Sequence, residues 1–153
     1  MFVRIVAATL LLCSVPAASA AGRPAGHSLT ERNRAVVTRF IDLFYTQKKV
    51  REAFMSYVAP GYIQHNPIAT DGRDAAIAAL EPYFKSAADA RFEVQRIIVD
   101  GNLAAVHVKS TRGPGDRGAA VVDLFRLEDG KIVEHWDVIQ PVPEKSANAH
   151  PMF

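Results

Sequence analysis

Cysteine is almost absent from this sequence: Cys13 is the only one among its 153 residues. It lies in an N-terminal segment with the features of a cleavable leader, so we expect the mature chain to contain none. Without cysteine a protein forms no disulfide framework, carries no thiolate nucleophile and builds no cysteine-based zinc site. An ordinary hydrophobic core must hold the fold, and other side chains must supply any chemistry.

An excess of charge of one sign is also missing. The chain has 18 Lys and Arg residues against 16 Asp and Glu residues, scattered along the sequence. Proteins that bind nucleic acids usually concentrate basic residues in one patch, so we expect no nucleic-acid partner. The apolar run at residues 5–12 is far shorter than the roughly 20 residues that cross a bilayer. We expect no membrane span once the leader is removed.

The N-terminal segment is typical of a secretory signal peptide. Arg4 precedes the apolar run, Pro16 interrupts the segment, and Ala18-Ser19-Ala20 has the A-x-A form that signal peptidase recognises. We predict cleavage after Ala20, which assigns residues 1–20 to the signal peptide. A flexible lead-in at residues 21–28 and one domain at residues 29–153 would follow. The mature protein would then work in the periplasm or outside the cell.

Helical periodicity fills the first half of this domain. Thr30 is the predicted cap of a first helix, a second helix is predicted at residues 50–58, and a third at residues 73–85 is kinked or split by Pro82. Residues 62–67 between the last two are predicted to be a loop. The first helix carries one apolar stripe, formed by Val37, Phe40, Ile41, Phe44 and Tyr45.

The second half of the domain is rich in Val, Ile and Phe and is predicted to form β-strands. The runs lie at residues 90–99, 103–111, 119–127 and 131–139, with glycine-containing turns between them. Helices followed by an antiparallel meander indicate an α+β domain, with the helices packed on one face of a curved sheet.

The third of these runs is apolar on both faces. Val121 and Phe125 lie on one face, whereas Val122 and Leu124 lie on the other. The helices can cover only one face of the sheet, so a second copy of the chain is the expected cover for the other. We therefore predict a homodimer.

Ionisable side chains interrupt three of the predicted strands. Asp123 stands among apolar residues on the face of Phe125, where an unpartnered carboxylate is costly. His107 lies in the preceding strand. His135 and Asp137 are two residues apart in the last strand and so share a face. Buried acids at such positions often have a function.

A concave sheet face can gather these groups into a pocket, with His65 and Asn66 arriving from the loop after the second helix. Structural roles are the alternatives. His107 can pair with Asp123 in the core, His65-Asn66-Pro67 can be a plain turn, and His135 can lie at a solvated sheet edge.

A metal site is a further alternative. His135-Trp136-Asp137 has the H-x-D form that begins a two-histidine, one-carboxylate iron site. The third ligand would have to be His65, His107 or His150. Helices followed by a meander differ from the double-sheet jelly roll that such enzymes normally use, so we predict no metal.

Four segments resemble a known family. They are residues 62–67 (YIQHNP), residues 120–126 (AVVDLFR), residues 130–143 (GKIVEHWDVIQPVP) and the final residues 151–153 (PMF). Together they resemble the SnoaL-like proteins of the NTF2-like superfamily, in particular the branch described as predicted aldol-condensation enzymes. The resemblance implies a cone-shaped α+β barrel with three N-terminal helices on a curved, mainly antiparallel sheet. It also implies a deep pocket, commonly a dimer, and no cofactor.

The resemblance also implies residue roles. In the polyketide cyclases of this family an aspartate on the last strand abstracts a proton next to a carbonyl group, and Asp137 matches it. Asp123 stands where those cyclases carry a histidine, and His65-Asn66 matches a pocket asparagine region. We predict Asp137 as the base, with His65, His107 or Asp123 as acid or oxyanion partner. The predicted substrate-binding residues are Asn66, His135, Phe125 and Tyr62.

The predicted function is cofactor-independent acid/base chemistry of the lyase or isomerase type on a small carbonyl compound. A carboxylate in an apolar pocket can act as the base, while a neighbouring donor stabilises the enolate. The alternative is a protein that binds a small hydrophobic ligand without catalysis, because one fold can serve both functions.

Overall fold

The structure, a computed structural model, describes residues 28–153. The predicted signal peptide and all but the last residue of the predicted lead-in lie outside this range. Within it, no helix combines the length and the apolar character that a bilayer crossing requires. The elements in chain order are α1 (Leu29–Ile41), a π-helical segment (Asp42–Thr46), α2 (Val50–Tyr57), β1 (Val58–Gln64), α3 (Arg73–Ser86), β2 (Arg91–Asp100), β3 (Leu103–Thr111), β4 (Ala119–Glu128) and β5 (Lys131–Pro141).

The N-cap of helix α1 lies two residues earlier than predicted. Ser28 is the N-cap: its hydroxyl accepts from the Glu31 backbone N–H at 3.2 Å, and the Glu31 carboxylate accepts from the Ser28 N–H at 2.8 Å. The predicted cap, Thr30, instead accepts from the Gly101 N–H at 2.9 Å and ties the helix to the β2–β3 turn. The predicted apolar stripe is confirmed as buried, and its last two residues lie in the π-helical segment.

Strand β1 is the element that the sequence analysis missed. Residues 58–64 form an edge strand parallel to β5, where a loop was predicted beyond residue 61. Pro60 and Gly61 weaken the strand signal, but an edge strand tolerates both residues. The sheet therefore has five strands in the order β1-β5-β4-β3-β2, and all pairings except β1 with β5 are antiparallel. Helix α3 continues through Pro82.

The sheet has two different faces. We call the face toward the helices the inner face; its strand residues include Val106, Val108 and Leu127, which are essentially inaccessible to solvent. Side chains alternate along each strand, so the residues between these belong to the outer face. Four large apolar side chains of the outer face remain 39–63 % exposed: Ile98, Leu103, Leu124 and Val138. The three helices on one face of a curled sheet confirm the predicted NTF2-like α+β fold.

Candidate active site

The inner face and the helices enclose a cavity of about 270 Å³. Its wall is mostly aromatic and aliphatic, and its polar groups converge from β1, β4, β5 and the π-helical segment, as is usual for small-molecule sites. The polar lining residues are Tyr45, Tyr62, Gln64, Asn66, Asp123, His135 and Asp137, and the apolar ones include Phe40, Phe44, Phe54, Leu80 and Phe125.

Asp123 is the most buried acid of the cavity, with 4 % of its surface exposed. The Tyr45 hydroxyl donates to one carboxylate oxygen at 2.7 Å, and His135 Nε2 lies 3.1 Å from the other. These contacts compensate the loss of hydration that burial imposes on a carboxylate. No buried side-chain nitrogen or oxygen in residues 28–153 lacks a hydrogen-bond partner.

The hydrogen bonds around His135 define where its protons lie. The Asn66 backbone N–H donates to Gln64 Oε1 at 2.9 Å, so this atom of Gln64 is the amide oxygen. The same oxygen lies 3.0 Å from His135 Nδ1, which must therefore carry a proton. A lone pair on Nε2 would repel the Asp123 carboxylate, so one more proton lies between them, on either group. The Asp123–His135 pair thus holds one transferable proton.

Two rings hold the His135 imidazole in this orientation. The Phe125 ring stacks on one side, with centroids 5.1 Å apart and an interplanar angle of 26°. The Tyr62 ring lies on the imidazole at 6.3 Å and 21°. Because both ring nitrogens and the ring face have fixed neighbours, the fold holds the imidazole in place and so keeps the shared proton between His135 and Asp123.

Asp137 lies directly opposite Asp123 on the paired strands β5 and β4. The Asn66 amide nitrogen is 3.0 and 2.7 Å from its two carboxylate oxygens. The Asn66 amide oxygen accepts from the Ile68 N–H at 3.0 Å, which turns the amide nitrogen toward the carboxylate. Asn66 is the only hydrogen-bond partner of Asp137 within residues 28–153, so its carboxylate is the least committed acid of the cavity.

The two tyrosines of the cavity stay neutral. Burial raises the pKa of Tyr45 well above its ordinary value, and the charge and hydrogen bond of Asp123 raise it further. Burial also raises the pKa of Tyr62, followed by the negative charges of Asp123 and Asp137. Both phenols can therefore act as hydrogen-bond donors at any physiological pH.

A metal can also be considered at this site. Asp123, His135 and Asp137 each offer a ligand atom, and these atoms lie within 4.8 Å of one another. The alternative set anticipated from the sequence, with a further histidine, is not assembled. Asp123 is already engaged by Tyr45 and His135, and the Asn66 amide hydrogens face both oxygens of Asp137. A cation would need those oxygens free, so the donor set fits proton transfer better than metal binding.

Six of the eight residues assigned to the site by sequence line the cavity: Asp137, Asp123, Asn66, His135, Phe125 and Tyr62. The prediction that His65 and His107 face the pocket is wrong. Asp123 pairs with Val106, so His107 points to the outer face, where its Nδ1 lies 2.8 Å from Arg96. His65 follows the inward-facing Gln64 and therefore also points outward.

His65 has its own partners on the outer face. Its Nε2 lies 2.8 Å from Glu134, and its ring stacks on Trp136 at 4.6 Å and 9°. The imidazole that the sequence analysis sought from His65 or His107 is supplied by His135 instead. His135 was predicted to orient or bind the substrate, and its contact with Asp123 takes the place of the alternative pairing of Asp123 with His107.

Sequence analysis also missed two residues of the network, Tyr45 and Gln64. Tyr45 was assigned to the apolar stripe of the first helix, although a buried tyrosine hydroxyl usually needs a partner. The π-helical segment carries Tyr45 at the end of that stripe, where it reaches Asp123. Gln64 lies two residues from both Tyr62 and Asn66, a period-2 pattern that would indicate a shared face once β1 is recognised.

Comparison with solved structures supports the fold. A candidate ketosteroid isomerase from Kribbella flavida is 24 % identical with a TM-score of 0.64, covering 78 % of this chain and 85 % of its own. A candidate SnoaL-like polyketide cyclase from a Jannaschia species is 24 % identical with a TM-score of 0.62, covering 77 % and 91 %. An NTF2-like protein from Mesorhizobium loti is 21 % identical with a TM-score of 0.63, covering 75 % and 96 %.

Curated protein sequences gave no match. The family model for the SnoaL-like domain matches residues 37–135, which include the π-helical segment, β1 and the network up to His135. This match spans well over half of the chain and agrees with the fold of the solved structures. The chain therefore belongs to the SnoaL-like domain family.

Proposed function

We propose that this protein is a cofactor-independent enzyme that performs acid/base chemistry on a small carbonyl compound bound in the cavity. One observation carries the proposal: the lightly committed Asp137 carboxylate lies opposite an Asp123–His135 pair that holds a transferable proton. A base and an acid of fixed geometry therefore share one largely apolar cavity. Two titratable groups held in different states are the usual arrangement for such chemistry.

The proposed step begins with a C–H bond next to the carbonyl group. A carboxylate oxygen of Asp137 takes the proton, and the electron pair of that bond moves to the carbonyl oxygen, which gives an enolate. The enolate carbon then attacks a second carbonyl in an aldol reaction or is reprotonated at another carbon. The proton for the product comes from Asp137, or from the Asp123–His135 pair, which Asp137 then reprotonates directly or through water. Atoms and charge balance over the cycle.

Exchange of carbon-bound hydrogen tests this step without knowledge of the natural substrate. Small cyclic and aromatic ketones would be incubated with the protein in D₂O, and exchange next to the carbonyl followed by NMR. We expect Asp137→Asn to lower the exchange rate by about 10²–10⁴-fold, the usual contribution of a general base. His65→Asn, on the outer face, is the matched control and should leave the rate unchanged. Unchanged exchange in Asp137→Asn would overturn the proposal.

Ligand binding without catalysis is the second candidate function. The apolar wall of the cavity, formed mainly by phenylalanine and aliphatic side chains, favours it. It predicts that a lipophilic molecule co-purifies with the protein and binds equally well to Asp137→Asn. Catalysis is the better supported of the two, because a binding pocket has no need for a paired acid and base.

The outer face supports a proposed homodimer. Leu124, Leu103, Ile98 and Val138 line one apolar concavity on this face, together with Trp136. Exposed apolar patches of this kind commonly mark an interface. A second copy of the chain, packing its own outer face there, would bury the same residues in both chains.

Export to the periplasm or the medium is likewise a proposal, based on the signal-peptide features of residues 1–20. The substrate would then be a compound that the protein meets outside the cytoplasm. N-terminal sequencing of the protein recovered from its native host would test it. A mature chain that begins at residue 21 is expected, and a retained leader would contradict it.

A further inference from the structure

We propose that Tyr62 is a catalytic residue that donates a hydrogen bond to the substrate oxygen on which the enolate charge develops. Gln64 is the positioning residue that turns the Tyr62 hydroxyl toward the cavity. This inference rests on the proposed function and adds the group that stabilises its intermediate. The sequence analysis gave Tyr62 only a role in substrate binding and gave Gln64 no role.

The orientation of the Gln64 amide is fixed by its hydrogen bonds. Its oxygen accepts from the Asn66 N–H at 2.9 Å and from His135 Nδ1 at 3.0 Å, so its two hydrogens lie on the other side. The amide nitrogen is 3.3 Å from the Tyr62 hydroxyl oxygen and donates to it. If the amide oxygen and nitrogen of Gln64 changed places, the amide N–H would face the N–H of Asn66, and two donors would oppose each other.

The contact with Gln64 also limits where the hydrogen of the Tyr62 hydroxyl group can point. The hydroxyl oxygen accepts from Gln64, so its own hydrogen must point elsewhere. No acceptor for that hydrogen exists among residues 28–153, and the side chain lines the cavity although only 3 % of the residue is exposed. The O–H bond is therefore available to a ligand in the cavity.

The other polar groups of the cavity are already committed. The Tyr45 hydroxyl donates to Asp123 at 2.7 Å, and the Asn66 amide donates to Asp137. Both nitrogens of His135 face Gln64 and Asp123. Among the hydroxyl groups of the described cavity, only that of Tyr62 has an unassigned hydrogen, and the one other hydrogen of a neutral donor without an assigned acceptor is the second amide hydrogen of Gln64.

The electrostatics also favour this role. The charges of Asp123 and Asp137 both act on Tyr62, and together with burial they raise the pKa of its phenol. Tyr62 thus remains protonated next to the base, and a donor aimed at a developing oxyanion in a water-poor site contributes strongly to catalysis. Tyr62 and Asp137 line the same cavity, so one bound carbonyl compound can contact both.

Binding of 4-nitrophenolate tests the donor directly, because its oxyanion mimics an enolate. The experiment uses Asp137→Asn, which imitates the base after it has accepted the proton and removes charge repulsion. We expect Tyr62→Phe, added to Asp137→Asn, to weaken 4-nitrophenolate binding about tenfold or more, since a hydrogen bond to a charged group is lost. Binding of nitrobenzene, which has no oxyanion, should change less than about twofold, because ring contacts remain.

Tyr83→Phe in the same background is the matched control, because it removes the same hydroxyl group from an exposed tyrosine of α3 outside the cavity, and it should leave 4-nitrophenolate binding near the Asp137→Asn value. Equal weakening of both probes by Tyr62→Phe, or no weakening of either, would overturn the inference. Circular dichroism and thermal unfolding of each variant verify that the fold is retained. The exchange assay on Asp137→Asn tests the proposed function separately, so each idea can fail alone.

The absorption band of bound 4-nitrophenolate tests Gln64. A hydrogen bond to its oxygen moves the band to shorter wavelength, because the donor stabilises the localised charge of the ground state. We expect Gln64→Met to lose part of this shift while nitrobenzene still binds, since Tyr62 keeps its hydroxyl but not its direction. A purely structural role of Gln64 predicts an unchanged band in the bound complex, which would overturn its positioning role.

Discussion

The two faces of the sheet carry nearly the same constellation and use it differently. On the inner face His135 lies 3.1 Å from Asp123 and stacks on Phe125. On the outer face His65 lies 2.8 Å from Glu134 and stacks on a tryptophan. The inner pair has side chains 11 % and 6 % exposed, whereas the side chains of His65 and Glu134 are 41 % and 15 % exposed. Only the inner pair adjoins a cavity and a second acid.

The environment, and not the residue pair itself, decides what a histidine and a carboxylate can do. Buried charges interact strongly and cannot lose a partner without leaving a desolvated group. Exposed pairs are screened by water and salt and contribute little. The inner pair is therefore suited to hold a proton for chemistry, and the outer pair mainly shapes the surface around β1 and β5.

The largest effect on stability is expected from Asp123→Ala. The substitution leaves the Tyr45 hydroxyl and His135 Nε2 without their buried acceptor. We expect the free energy of unfolding to fall by about 3–5 kcal/mol, the usual cost of breaking a buried pair on one side. Urea denaturation monitored by circular dichroism measures it.

Glu134→Ala on the outer face is the matched substitution and should cost much less, because its partners remain in contact with water. Equal losses in the two variants would remove the contrast between the faces. If Asp123→Ala were as stable as the wild type, the hydrogen bonds around Asp123 would make no contribution to the free energy of unfolding.

Strand alternation explains how much of this contrast could be predicted. Alternation placed His135 and Asp137 on one face of the last strand and Asp123 on the Phe125 face of its own strand, and the helices and β2–β5 followed from their periodicity. The relation between His107 and Asp123 could not be derived in this way. It depends on the register of two strands, and a shift of one residue exchanges the faces.

Strand β1 also could not be predicted from the sequence. It pairs in parallel with β5, about 70 positions later in the chain, and contains Pro60 and Gly61. Neither local propensity nor a hairpin turn indicates such a pairing. Without β1, the sequence offered no strand alternation to direct Gln64 inward and His65 outward. Gln64 was therefore missed, and His65 was wrongly assigned to the pocket.

A smaller effect is expected from pH acting on the outer face. The hydrogen bonds of His65 and then Arg126 lower the pKa of Glu134 below its ordinary value of 4.5. A carboxyl group with a lowered pKa in the folded state stabilises the fold above its unfolded pKa. That contribution is lost as pH falls through the folded pKa.

We therefore expect wild type to be more stable than Glu134→Gln at neutral pH, with the difference shrinking below about pH 4.5 and in high salt. Urea denaturation over a pH series measures it. Glu144→Gln is the control, because Glu144 forms no ion pair within the described part of the chain. A difference that stayed constant down to acidic pH would show that Glu134 acts through packing and not through its charge.

The smallest effect on the fold itself is expected from Val138→Lys, on the outer face of β5. Val138 is 63 % exposed in the single chain, so the substitution leaves no cavity and should change the stability of one chain by no more than about 0.5 kcal/mol. In the proposed dimer the same position is buried, and two lysines would be brought into the interface without partners. We therefore expect the mass in solution, measured by light scattering, to fall from two chains to one.

The matched control is Met55→Lys, the same kind of change at a 49 % exposed apolar residue of α2, on the helical side of the molecule. It should leave the mass at two chains, because the outer face is untouched. A wild-type protein with the mass of one chain would remove the dimer proposal altogether. In that case the exposed apolar side chains of the outer face would need another partner, while the proton-holding pair of the inner face would be unaffected, since Asp123 and His135 line the inner cavity and not the outer concavity.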